Sequence, residues 1–423
     1  MNTIADIKII TSQLFILAIL AFILPGCATH NKGMSEVANQ LRQNLPVETA
    51  VSKIKTLGTE SNSSAQYQLN LGYLQLISGD FKSALSNFEQ AKRTMKALDA
   101  ISVTETVTAA TVNETLTSYD GWPTDKVLVH SMMAMAYLLS NDLDGARVEV
   151  LQADVQMQKL AKAKSTQGQL AFSRYLAGVV YELNSEFDSA LVSYRQAYTI
   201  LTSRSEPSPK PLQQSLVNLT ARLGLSQESK KYTKKFNVTP SKQSLKKQFI
   251  FSFDGVVTQM SQRKTQLWWS IDDVYLSVAL PQFTRNNYIA RGASVINQTS
   301  KIKTQAIEYI EKRAREDLQS EMGKITAVAL ARAGIKFQTV KEMNKNDSTL
   351  GAFANVLTIL SEVADTRHWG MLPSSIQVAT AQSSQPTLTV TTKFGNKSLT
   401  ISETGNSVIL LSSLTSKVHV TNF

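Results

Sequence analysis

Cys27, the single cysteine of the 423-residue chain, stands where a specific reaction is expected. It follows Leu24-Pro25-Gly26, with an apolar residue at −3 and a small one at −1, and the uninterrupted apolar run Leu14 to Leu24 lies just before it, flanked by Lys8. That is the spacing of a lipobox. The sulfur is alkylated by a diacylglycerol, and a peptidase then cuts ahead of the modified residue. Gly26 leaves room for the protease, whereas Pro25 at −2 departs from the usual pattern. As a helix the apolar run would span about 16 Å, roughly half a bilayer core. Residues 1–26 therefore read as a signal peptide rather than a membrane span. A lone cysteine is otherwise a small buried hydrophobe, but this placement favours lipidation. Acyl chains such as palmitate contribute about 0.8 kcal/mol per buried methylene, so several of them hold a protein durably. Ala28, where an aspartate would retain the protein at the inner membrane of enteric bacteria, predicts export to the outer membrane with the body in the periplasm. With one cysteine no internal disulfide can form, and packing must supply the stability.

Other reactive constellations are missing from the sequence. There is no phosphate-cradling GxGxxG or GxxxxGK[ST], no HExxH and no GxSxG. His30, His130, His368 and His419 are scattered without metal-ligand spacing. Ser-x-x-Lys occurs at Ser52–Lys55, Ser244–Lys247 and Ser300–Lys303, as expected by chance in a chain rich in both residues, and lacks the companion motifs of penicillin-binding chemistry. Asp142-Leu143-Asp144-Gly145 resembles part of a calcium loop, but the twelfth position would be Leu151 instead of a bidentate glutamate. The most suggestive cluster is Glu362, Asp365, Arg367, His368 and Trp369. Arg367 could grip an anionic partner with Trp369 packed beside it. In the structural alternative, Asp365 and Arg367 tie a helix end to a sheet and Trp369 is core. The expectation is a protein without catalytic residues, metal or cofactor.

The charge is uneven. Residues 28–206 carry 16 Lys+Arg against 18 Asp+Glu, and residues 207–423 carry 27 against 14. Such asymmetry predicts two domains with different partners. For a periplasmic protein the anionic candidates are lipid headgroups, lipopolysaccharide phosphates, peptidoglycan carboxylates or an acidic protein, and the compartment argues against nucleic acid. The densest basic stretch holds Lys230, Lys231, Lys234, Lys235, Lys242, Lys246 and Lys247. It is either a solvated helix end and linker or an anionic-surface site.

Three segments share one pattern: small residues, a polar turn, then Ala, a bulky residue and Ala at matched offsets. They are Leu71-Gly72 with Gly79-Asp80-Phe81, Ala84, Phe88 and Ala91; Ala134 and Tyr137 with Asn141-Asp142-Leu143, Ala146, Val150 and Ala153; and Ala177-Gly178 and Tyr181 with Ser185-Glu186-Phe187, Ala190, Tyr194 and Ala197. Small residues let antiparallel helices approach and the bulky ones fill the gap. The pattern resembles the tetratricopeptide repeat (TPR). The turns at 79, 141 and 185 are spaced by 62 and 44 residues instead of about 34, so the array is irregular. Ala100 to Thr124 reads as an insertion or loop, a longer second helix runs through Gln152 to Ala163, and Pro211 to Leu225 reads as a capping helix. Repeat stacks commonly present a concave surface to other proteins, and Tyr137 and Tyr181 are candidate partner-binding residues beside Arg367 and Trp369.

After Pro240 the texture changes. Gln248 to Phe253, Gln266 to Trp269, Val274 to Leu280, Leu388 to Thr392, Ser398 to Ser402 and Val408 to Leu411 read as strands, and the chain returns to strands from Ile376. Lys303 to Ala333 reads as a long amphipathic helix and Gly351 to Ala364 as a second. The fold class is therefore α+β: TPR-like N-terminal hairpins, then a mixed α/β domain with strands flanking a long helix. The expected divisions are 1–26 signal peptide, 27–40 anchor and tether, 41–228 helical domain, 229–247 basic linker and 248–423 α+β domain.

As a whole the chain resembles a family of bacterial outer-membrane lipoproteins with a tetratricopeptide-like N-terminal half. The residues carrying the resemblance are the lipobox at Cys27, Asp142 to Glu149, Tyr175-Leu176-Ala177-Gly178, Val278-Ala279-Leu280-Pro281, Ala364 to Trp369 and Leu372-Pro373. Members often lie beside genes for lipoprotein activators of penicillin-binding proteins. The resemblance implies a compartment and an architecture but no activity. The expected role is a lipid-anchored scaffold or adaptor for protein partners of the envelope. The alternatives are a binder of an anionic glycan or lipid, or an enzyme acting on peptidoglycan through Glu362 and Asp365.

Overall fold

The structure is a computed structural model that describes residues 26–58, 65–101, 119–162, 167–241, 246–271, 274–284, 288–297, 300–346, 363–383, 385–402 and 405–423. The apolar run ahead of Cys27, most of the 100–124 insertion and most of the helix expected at 351–364 lie outside those residues.

Ten helices come first: α1 (Gly26–Arg42), α2 (Val47–Gly58), α3 (Ala65–Ser78), α4 (Phe81–Ile101), α5 (Pro123–Leu139), α6 (Leu143–Lys162), α7 (Ala171–Leu183), α8 (Phe187–Ser203), α9 (Lys210–Arg222) and α10 (Ser226–Phe236). Each packs on the next, and α3–α4, α5–α6 and α7–α8 are the three expected hairpins. The small residues act as the sequence requires. A methyl group added at Gly72 would lie 2.7 Å from the Phe88 ring, and one at Gly145 would lie 2.6 Å from Tyr137. The three hairpin turns place Gly79, Asn141 and Ser185 at positive φ (93°, 61° and 62°). In each, the next amide donates back to the carbonyl five residues earlier, as Asp80 does to Gln75 at 2.9 Å. Two outer helices then start with a local aspartate: Asp80 Oδ1 accepts from Ser83 N–H and Asp142 Oδ1 from Gly145 N–H.

The second half is built from β1 (Lys246–Asp254), β2 (Met260–Trp269), β3 (Val274–Phe283), β4 (Ser294–Asn297), β5 (Ser300–Lys303), β6 (Gln305–Glu308), α11 (Ile310–Asn346), β7 (Ser375–Ser383), β8 (Thr387–Thr392), β9 (Gly395–Thr400), β10 (Ser407–Ser412) and β11 (Val418–Asn422). A five-stranded sheet has the order β11-β10-β1-β7-β6, with β1 parallel to β10 and antiparallel to β7. A four-stranded sheet has the order β5-β4-β8-β9. Because side chains alternate along a strand, β1 serves two cores. Phe249, Phe251 and Phe253 point into one that is continuous with the hairpins, while Ile250 packs with Ile409, Ala379, Val295 and Val390 between the sheets. The layers are thus helices, five-stranded sheet, four-stranded sheet. A smaller cluster joins the β2–β3 ribbon to α11 through Leu276, Val278, Leu280, Ala329 and Ala333.

The inner helices lie against the five-stranded sheet. Tyr73 of α3 stacks on Phe253 with ring centroids 6.1 Å apart, and Phe172 and Tyr175 of α7 meet Phe251 at 6.3 and 6.1 Å. The concave side of the hairpin stack is therefore filled by the chain's own sheet.

Several expectations shift. The stretch expected to be a tether, 27–40, belongs to α1, whose Met34, Val37, Ala38 and Leu41 are buried in the main core. The basic linker of 229–247 continues as helix α10 to Phe236, and β1 begins at Lys246. The long helix starts at Ile310, seven residues later than expected from Lys303, and runs on to Asn346. The residues ahead of it, including Ala306 and Ile307, form the four-residue strands β5 and β6. Strands that short show no periodicity that could be told from a helix.

Replacing Gly72 by Ala overfills the α3–α4 contact and is expected to cost about 1–3 kcal/mol. Gly323, within α11 and with nothing within 4 Å of an added methyl, is expected to gain up to about 1 kcal/mol on the same change. Denaturant midpoints of the two variants should move in opposite directions; a shared direction would contradict the packing described.

Candidate functional site

The residues singled out in the sequence are not brought together as one site. Cys27 lies in the first turn of α1. Tyr137 packs over Gly145 inside its hairpin, and Tyr181 is buried beneath Arg147, whose guanidinium lies 6.0 Å from the ring centroid. Arg367 is tied to Asp365 by a bidentate pair, and its carbonyl accepts from the Trp122 indole N–H at 3.1 Å. Trp369 is 1% exposed and tilted against Phe88 at 5.8 Å. As a partner-binding residue it must be given up, because a side chain enclosed on all sides offers an incoming surface nothing. Glu362 lies outside the described residues. Lys230, Lys231, Lys234 and Lys235 are exposed on α10, and Lys235 sits 5.0 Å from the ring of Tyr198. Lys247 is drawn inward to pair with Glu182.

What the fold does assemble is a polar seam between the hairpins and the second half. α7 has Leu170 at its N-cap and no capping side chain of its own. Its amides are met instead by Glu308, the last residue of β6. Glu308 Oε2 accepts from Ala171 N–H at 2.7 Å and lies 3.4 Å from Phe172 N. The carboxylate is fully buried between Arg204 (Nη1 to Oε1, 3.3 Å) and Arg313 of α11, whose Nε is also 3.3 Å away as an ion pair without hydrogen-bond alignment. Arg313 reaches Glu206 at 2.5 Å, which Lys312 also contacts at 2.6 Å. A negative charge at a helix N-terminus, ringed by guanidinium groups, offsets much of the cost of burying it. Burial still pushes the Glu308 carboxyl above its ordinary range, against the pull of Arg204 and Arg313.

α5 repeats the arrangement. Its N-cap, Trp122, has no capping side-chain bond, and Thr124 N–H donates to Asp317 Oδ2 of α11 at 3.0 Å. Asp125 accepts from Trp122 N–H at 3.2 Å and from the Tyr119 hydroxyl. Burial pushes Asp317 up to about 7 and Asp125 up to about 6. The bonds from Thr124 oppose the rise in Asp317, while Asp125 and Glu316 add to it. His368, 4% exposed, is lowered by burial, with the Thr366 and Thr258 carbonyls acting the other way. α3 joins the same seam: Gln66 donates to the His368 carbonyl at 3.1 Å, and Asn70 Oδ1 accepts from Met371 N–H at 2.9 Å. Reading the sequence missed Glu308, Arg313 and Asp317. Two signals were present: Leu170 precedes a helix without a polar cap, and Arg313 and Asp317 interrupt the apolar face marked by Ile310 and Ala314.

With the concave side filled, the free surface of the stack is its outer one. On α6, Val148, Leu151 and Val155 are 53%, 38% and 59% exposed at i, i+3 and i+7, and Val192 on α8 is 49% exposed. Among the described residues no group of three His, Cys, Asp or Glu could hold a metal ion, and no helix is long and apolar enough to cross a membrane.

No model of a known protein family matches the chain, and a comparison with the curated proteins finds no match. Solved structures do align with the helical half. MamA from Desulfovibrio magneticus RS-1 is 12% identical, covering 49% of this chain and 92% of its own, at a TM-score of 0.32. A putative kinesin light chain with TPR-like repeats from Podosopora anserina is 16% identical, covering 49% and 92%, at 0.35. The apo form of RapI is 12% identical, covering 45% and 47%, at 0.35. The hairpins are defined by their own contacts and turn hydrogen bonds.

The buried acids give the seam a pH dependence of definite sign. Carboxyls raised in the folded state bind protons more tightly than in the unfolded chain, so their contribution to stability falls as pH rises from about 4 to about 7. Asp317→Asn keeps an acceptor for Thr124 N–H and removes the charge. It should match the parent near pH 4.5, exceed it in melting temperature at pH 7.5, and flatten the decline between. Glu308→Ala, which strips the α7 cap and leaves two arginines unpaired, is expected to cost about 3–5 kcal/mol.

Proposed function

We propose that the chain is a lipid-anchored scaffold of the bacterial envelope, tethered through Cys27 and docking a protein partner on the outer face of its hairpins. The observation that carries the docking surface is the exposed apolar stripe Val148, Leu151 and Val155, with Val192 nearby. Aliphatic side chains left in water at helical spacing are the usual ground for a helix or strand of another protein. Arg147, paired with Glu186 at the edge of this stripe, supplies a polar rim. The lipid anchor is supported by the lipobox sequence, and outer-membrane placement by Ala28. In this reading the chain supplies no catalytic group.

A second reading has its own observation. Lys230, Lys231, Lys234 and Lys235 crowd α10, where Glu228 is the sole acid and is engaged by Arg195. Such a face suits an anionic glycan or lipid and would bind it in a salt-dependent way. A peptidoglycan-acting enzyme using Asp365 is supported least, since that carboxylate is occupied by Arg367.

Photo-crosslinkers placed at Val148 and Val155 in cells should capture one dominant envelope protein, and Val148→Asp should abolish that capture without changing the melting temperature. Capture confined to lipid or glycan at α10 would replace the first reading with the second. Cys27→Ser should lose acyl labelling and leave the membrane fraction; undiminished labelling would refute the anchor.

A further inference from the structure

The seam contains a small cavity lined by Trp122, Thr124, Asp317, His368, Trp369 and Leu372, among others, with about 10 Å³ of free volume for a water-sized guest. Three of its lining residues have a buried polar atom without a hydrogen-bond partner: Asp317 Oδ1, His368 Nε2 and Trp369 Nε1. Buried polar atoms are almost always paired, and each orphan costs about 1–3 kcal/mol. Three such atoms around one cavity call for a common partner.

The bonding capacities of the three atoms define that partner. The Trp369 indole nitrogen is a donor only. His368 Nδ1 lies 3.1 Å from the Thr366 carbonyl, and Nε2 offers a guest a donor or an acceptor according to the tautomer. Asp317 Oδ2 already accepts from Thr124 N–H, and Oδ1 of the carboxylate is a second acceptor. The guest must accept from the indole N–H, donate to Asp317 Oδ1, and share a hydrogen bond of either sense with His368 Nε2. A metal or ammonium ion cannot accept from the indole N–H, and an anion would be repelled by Asp317. The volume suits one water molecule and nothing larger.

We infer that the seam holds one structural water, accepting from Trp369 Nε1–H, donating to Asp317 Oδ1 and hydrogen-bonded to His368 Nε2. It joins α11 to the segment that follows Ala364, directly beneath the N-terminus of α5. The three partners of the water belong to the second half of the chain, and Trp122 and Thr124 of the first half close the cavity around it.

The test uses the full chain with its tryptophan indoles labelled with nitrogen-15. Trp369 Hε1, assigned by its loss in Trp369→Phe, should show a direct cross-peak to a water with a long residence time. Asp317→Leu, which fills the cavity, should erase that cross-peak and leave the indole signals of Trp268 and Trp269 unmoved. Asp317→Asn should keep it, because the amide still bonds to water. If Asp317→Leu does not fold, a crystal structure of the parent protein decides, with one peak expected within hydrogen-bond distance of all three atoms. No cross-peak at Trp369 would overturn the site. So would a density peak bound to Asp317 and Asp125 away from the indole, which would signify a cation.

Discussion

Two carboxylates from the second half of the chain complete two helices in the first. An α-helix leaves its first amides without internal partners, and α7 and α5 begin at Leu170 and Trp122, which provide no capping side chain. Glu308 and Asp317 fill that role across sequence separations of 137 and 193 residues. Their placement sets the rest of the architecture. β6 must end against α7, α11 must start beside both helices, and the five-stranded sheet, whose edge is β6, is thereby held over the concave side of the stack. The phenylalanines of β1 then enter the space between the inner helices. Ion pairs at such a junction add little net energy once desolvation is counted. Their contribution is register, since Glu308 must meet the amides of Ala171 and Phe172 while Asp317 meets that of Thr124.

This arrangement separates the protein from open repeat scaffolds. In a solenoid each repeat contacts its neighbours and the concave surface stays available. Here Phe249, Phe251, Phe253, Tyr73, Phe172 and Tyr175 belong to one core, so the inner surface is interior. The hairpins form one wall of a three-layer body, and the face they leave uncovered is that of their outer helices.

How much of this was legible depended on how local each signal is. The hairpins could be read because the partners of Gly72, Ala134 and Gly178 lie within about 16 residues and repeat at fixed offsets. The central strands could be read because β8 alternates, β1 nearly does, and β10 is a short apolar run beside a Gly-Asn turn signal. The short strands β4, β5 and β6 could not, and Ala306 and Ile307 were absorbed into the helix that follows. α1 was missed because its buried residues, Met34, Val37, Ala38 and Leu41, stand among polar neighbours just after an anchor signal that invites reading a tether. Trp369 could be read either as core or as contact, and Phe88, which decides the matter, is 281 positions away. The seam was illegible for the same reason: a carboxylate on a helix face does not announce which distant amide it will meet.

The order of strands in the central sheet also bears on when the protein can finish itself. β1 emerges in mid-chain, yet both its neighbours come later, β7 near residue 375 and the parallel partner β10 near residue 407. Until those residues are made, β1 has no neighbour on either side, and the sheet that covers the aromatic side chains of α3 and α7 cannot form. Pairings of such long range are slow to form. Synthesis from the N-terminus therefore leaves a half-built wall with its inner face bare until β7 and β10 pair with β1 and close it.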